Sequence, residues 1–177
     1  MVHWRRAVES GSDNAFIYAT LAKERLDGIM RNLSLDYRMP AEALEQLRGW
    51  LDRAVALSPN YLEAYEELAC LEALSGKPRL DVMNRVQQVL PRMKNKMLTL
   101  FAIALVRWRT QDNVTARQIA VFLMASPGVP EDLRDRAERL LERIPAPAQS
   151  AATPKPEAAP EPRADSFSVA PTPNPPS

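Results

Sequence analysis

The chain has 177 residues, 46% of them hydrophobic, and a formal net charge of +1; that suits one ordinary domain and argues against a generally basic nucleic-acid binder. A lone cysteine, Cys70, leaves no internal disulfide, so nothing demands an oxidising compartment. Arg5 and Arg6 run into a polar stretch, Glu9 to Asn14, instead of an apolar signal core, and the longest apolar run, Met97 to Trp108, is broken by Thr99 and Arg107; it falls short of the ~20 residues of a membrane span, so no membrane association and a cytoplasmic protein are the default expectation.

The first segment, His3-Trp4-Arg5-Arg6-Ala7-Val8-Glu9-Ser10, has the pattern of the second helix of a hairpin whose first helix is absent. Trp4 and Val8 then lack part of their cover, and the expectation is a fragment of a longer protein. After Ser12-Asp13-Asn14 comes a helix carrying Tyr18, Leu21 and Ala22, followed by a lengthened connection over Gly28 to Met39. Pro40 suits the first turn of a helix reaching Leu57, with Leu44, Leu47, Leu51, Ala54 and Val55 on one face. Ser58-Pro59 reads as N-cap and first turn of the next helix, which carries Leu62, Tyr65, Leu68, Ala69 and Leu71 and stops at a left-handed Gly76 with Pro78 beyond.

Two further pairs are predicted: about 81–90 with 94–109, and about 113–125 with 130–144. The 97–108 helix is apolar nearly all round and is expected to be buried on several sides. The last has a stripe of Leu133, Ala137, Leu140, Leu141 and Ile144 opposite Arg134, Asp135, Glu138, Arg139 and Glu142, the charged outer face that a capping element needs. No segment alternates at period two, so the class is all-α.

Aligning Ser12, Pro59, Pro91 and Pro127 gives intervals of 47, 32 and 36 residues and lays Tyr18, Leu21 and Ala22 over Tyr65, Leu68 and Ala69. The stretch 54–69, Ala-Val-Ala-Leu-Ser-Pro-Asn-Tyr-Leu-Glu-Ala-Tyr-Glu-Glu-Leu-Ala, closely resembles the tetratricopeptide repeat. The resemblance covers residues 3–144 and is weakest at 91–101, where Met97 replaces the aromatic and Phe101 the small residue. It implies a short right-handed α-solenoid of stacked antiparallel helix pairs over residues 1–144. It also implies a protein-interaction module that docks a peptide, or a neighbouring part of its own larger polypeptide, in a concave groove. Groove positions carried over by alignment are Phe16, Lys23, Glu63, Glu66, Asn95 and Leu98. The Lys/Asn clamp for a terminal carboxylate is not reproduced, because Glu66 and Cys70 occupy the matching places.

Chemistry finds little footing. One histidine, His3, and one cysteine rule out a Cys/His zinc site within the chain, five glycines offer no phosphate cradle, and the carboxylates lie on helix faces. No catalytic residue, metal or cofactor is expected, and the chain is not read as an enzyme. Between Val82 and Gln111 stand Arg85, Arg92, Lys94, Lys96, Arg107 and Arg109 with no acidic residue. Arg92, Lys94 and Lys96, near a helix N-terminus, are a candidate anion site; their other reading is pairing with Glu63, Glu66 and Glu67 of the preceding repeat. Nucleic-acid binding through 85–109 is an alternative that the near-neutral total charge opposes. A second alternative is a non-catalytic appendage of a bacterial multidomain enzyme or assembly factor. Residues 145–177 hold ten of the sixteen prolines and two large apolar side chains, Phe167 and Val169, which predicts a disordered linker-like tail.

Overall fold

The computed structural model describes residues 2–94 and 96–146. The tail expected over 145–177 therefore lies outside the described residues from 147 onward, as does Asn95. Every regular element among the described residues is helical: α1 (Val2–Glu9), α2 (Ala15–Arg31), α3 (Ala41–Leu57), α4 (Leu62–Ala73), α5 (Leu80–Val89), α6 (Lys96–Arg109), α7 (Asn113–Ala125) and α8 (Glu131–Arg143). A 3-10 turn, Leu90–Arg92, joins α5 to α6.

Small residues let these helices approach. Ala22, Ala54, Ala64, Ala69, Ala102, Ala116 and Ala137 are all fully buried, and leucines fill the spaces between them. Each buried leucine contributes about 1.5–3 kcal/mol. Contacts follow chain order: α1 on α2, α2 on α3, α3 on α4, α4 on α5, α6 on α7 and α7 on α8. A second series links alternate helices, α2 to α4, α4 to α6 and α6 to α8. Helix α6 lies within that series, and its run Phe101 to Val106 is buried without a break, as its all-round apolar sequence predicts. Phe101, which stands at a position aligned with small residues, is itself fully buried. Helix α7 leaves Val114, Val121 and Phe122 exposed.

Several predicted ends shift. Ser58 closes α3 instead of opening α4, which begins after Tyr61 with no side-chain cap. The Tyr65 hydroxyl donates to the Pro59 carbonyl at 3.2 Å and so fixes that turn. Pro40 and Pro130 stand just outside their helices, one residue earlier than a first-turn proline. Helix α4 ends at Ala73, and left-handed backbone occurs at Gly11, Gln111 and Gly128 among the described residues, so Gly76 is not a left-handed cap. Leu141 is only half-buried; Arg136, predicted on neither face, is buried in its place.

The 28–39 connection is a tethered piece of structure. Its first residues prolong α2, and the rest is held from three sides. The Met39 amide donates to the Leu74 carbonyl at 3.0 Å. Arg109 Nη2 donates to the Leu35 and Tyr37 carbonyls, both at 2.9 Å. Arg136 donates to the carbonyls of Met30 and Arg31 at the end of α2 and pairs with Asp132 at 2.6 Å. At the α3–α4–α5 junction the fully buried Glu72 meets Arg48 at 2.6 Å and Arg79 at 2.8 Å, and Arg79 continues to Asp52 at 2.6 Å.

Candidate functional site

Asn14 caps α2 by accepting the Phe16 amide at 3.0 Å, which places Phe16 in the first turn. The Phe16 ring stays 51% exposed and takes an edge-on contact from Trp4, with ring centroids 6.1 Å apart and planes at 78°. Because α2 and α4 lie side by side, Phe16, Ala19, Thr20 and Lys23 face Tyr61, Glu63 and Glu67 across a cavity of about 370 Å³.

Its charges are unevenly matched. Lys23 Nζ lies 3.2 Å from Glu67 Oε1 and 3.4 Å from Asp27 Oδ1. Glu67 is buried, and that burial, with like charges at Asp27 and Glu66, outweighs Lys23 and pushes its carboxyl up to about 7. Burial likewise raises the Cys70 thiol well above its ordinary range, with the Glu67 charge adding to the effect. Cys70 is thus an inert thiol.

A second cavity, about 400 Å³, lies between the start of α6 and the turn leading into α8, lined by Lys94, Lys96, Met97, Leu98, Gly128, Pro130 and Leu133. Neither lysine forms an ion pair among the described residues, and Glu67 meets Lys23 of α2. Arg92 donates to Asn60 Oδ1 at 3.4 Å and lines neither cavity. Of the candidate anion site, only Lys94 and Lys96 come together.

The predicted groove residues divide in the same way. Phe16, Lys23 and Glu63 meet in the first cavity, and Leu98 belongs to the second. Glu66 is half-buried and lines neither, and Asn95 is outside the described residues. Sequence reasoning missed Ala19, Thr20, Tyr61 and Glu67 as lining residues of the first cavity. The signal for Glu67 was its place one helical turn after Glu63, which puts both on one face of α4.

The 85–109 cations are dispersed. Arg85 pairs with Asp81 at 3.6 Å, Arg107 with Asp112 at 3.5 Å, and Arg109 is turned into the 35–37 loop. Burial and the Arg38 charge lower the Arg109 guanidinium to about 10. A third cavity, about 460 Å³, lies between Asn32–Leu35 and the Arg136, Arg139, Glu142 and Arg143 side of α8. Its arginines are engaged: Arg136 with α2 carbonyls, Arg139 with the Asp135 carbonyl and Arg143 with Asp36. No helix among the described residues is long and apolar enough to cross a membrane. Set against known proteins, the chain matches no protein-family model, no curated protein and no solved structure.

Proposed function

We propose that residues 1–144 form a short tetratricopeptide-type solenoid that docks a peptide segment along the side of α2, α4, α6 and α8. The segment belongs to a partner protein or to a neighbouring part of a larger polypeptide. One observation carries this reading. Alternate helices pack in series and leave unfilled cavities at equivalent places, between the first turns of α2 and α4 and between those of α6 and α8. An extended or helical segment lying across the series would fill both. Further support comes from the fully buried Ala69 and Ala22, the small residues that let hairpin helices close up. On this reading the chain is a binding module and performs no catalysis: Cys70 is an inert thiol, and His3 is exposed on α1.

The anionic-ligand reading keeps one favourable observation, Lys94 and Lys96 beside an apolar floor and without an ion pair among the described residues. Nucleic-acid binding draws no support from cations so dispersed.

Peptide display from a random library on the full chain tests the proposal. Retained peptides are expected to lose at least tenfold in affinity when Phe16→Ala and Leu98→Ala are combined, with the far-ultraviolet circular dichroism unchanged. Retention of no peptide, or of peptides indifferent to both substitutions, would overturn it.

A further inference from the structure

We propose that the α2–α4 cavity receives a basic side chain, of the arginine kind, from the docked segment, with its cation set between the Phe16 ring and the carboxylates of Glu63 and Glu67. The inference rests on the docking reading above and names the chemistry of one position in the segment. It is carried by charge complementarity. Asp27 and Glu67 share one ammonium, the half-exposed Lys23, and Glu63 adds a further carboxylate to the same cavity wall. Glu63 has no ion pair among the described residues.

The Glu67 side chain is only 8% exposed, yet Lys23 reaches just one of its oxygens, Oε1, at 3.2 Å; among the described residues nothing donates to Oε2. That second oxygen opens toward the cavity and is free to accept, since a carboxylate takes several hydrogen bonds at once. A guanidinium entering the cavity donates to that open oxygen and leaves Lys23 in place, since Asp27 also holds it at 3.4 Å.

The aromatic wall points the same way. Phe16 presents an exposed ring in edge-on contact with Trp4, and Tyr61 stands across the opening. Cations are attracted to such rings, and a planar guanidinium stacks on them while bonding a carboxylate in bidentate fashion, which a lysine ammonium does not. The second cavity lacks both features. It has no aromatic among its described lining residues and two lysines without an ion pair among the described residues, so it would repel the same side chain.

The test titrates the full chain with Ac-Gly-Leu-Arg-Leu-Gly-NH2 and its Lys, Gln and Glu versions, following backbone amide shifts by NMR. The arginine peptide is expected to shift Thr20, Lys23 and Tyr61 saturably and to bind at least tenfold more tightly than the Gln version, with no saturable shift from the Glu version. Combining Glu63→Gln with Glu67→Gln should abolish the preference for Arg over Gln while the amide spectrum stays dispersed. Absence of saturable shifts with the arginine peptide, equal binding of the Glu version, or a preference that survives both substitutions overturns the inference. So does free arginine amide binding as tightly as the peptide, because the cation would then not come from a docked segment. If these results go against arginine while displayed peptides are still lost on combining Phe16→Ala with Leu98→Ala, the arginine assignment falls and the docking reading stands.

Discussion

Glu67 and Glu72 lie on the same helix and meet burial in opposite ways. Two guanidiniums, from Arg48 and Arg79, grip both oxygens of Glu72, whereas Glu67 has one lysine on one oxygen. The Glu67 carboxyl is accordingly raised from an ordinary 4.5 to about 7 by burial, against the pull of Lys23 and with the push of Asp27 and Glu66. Between those two values the folded chain keeps this proton and the unfolded chain has lost it. Stability is therefore full below about pH 4.5 as far as this group is concerned, and it falls as pH rises toward 7, by on the order of 3 kcal/mol. Glu67→Gln removes the titration. The variant should be more stable than the parent at pH 8 and about equal to it at pH 4.5, as read from urea midpoints at the two pH values. A variant that keeps the parent's slope would show that the carboxylate is solvated.

At the scale of elements, most of the helices were legible before any coordinates. The 113–125 helix falls where its apolar period puts it, and the unbroken burial in α6 follows from a sequence with no polar face. Ends were harder to place. Serine, proline and glycine suit either side of a junction, and which side they serve depends on the turn that follows. Ser58 closes a helix because Tyr61 opens the next one. Glycines divide by conformation in a way that gives a direct test. Gly49 sits in the middle of α3 with no heavy atom near an added Cβ, so Gly49→Ala should raise stability by about 0.5–1 kcal/mol. Gly128, with equal room but φ at +80°, should lose about 1–2 kcal/mol on the same change. Thermal midpoints moving in opposite directions would bear this out; a Gly128→Ala variant as stable as the parent would refute it. The candidate site was legible only in part. Phe16, Lys23 and Glu63 follow from repeat alignment, but the count of charges around Lys23 depends on which neighbours Glu67 chooses. That choice is made by packing between α2 and α4, not by local sequence.

For the molecule as a whole, arginines with carbonyl partners add long-range ties to the hydrophobic series. Such pairs leave no trace in charge patterning, since the acceptor is backbone that any residue supplies. The Arg109 bond to Leu35 spans 74 positions and the Arg136 bond to Arg31 spans 105. In an array held by neighbours alone, each end would open independently. Here the last helix ties down the far end of α2. Arg136→Ala should therefore speed amide hydrogen exchange over residues 28–39 as well as within α8. Acceleration confined to α8 would show that the tie carries no load.

Synthesis on the ribosome gives that tie a consequence in time. Helices α2 to α7 emerge first and are free to pack in order, yet the carbonyls closing α2 have no guanidinium to meet until Arg136 has left the exit tunnel. The bend beyond α2 is fastened earlier, by Leu74 and then by Arg109, so the end of α2 is the part that reaches its final bonding last, and a nascent chain halted short of α8 would carry that helix end frayed and protease-accessible.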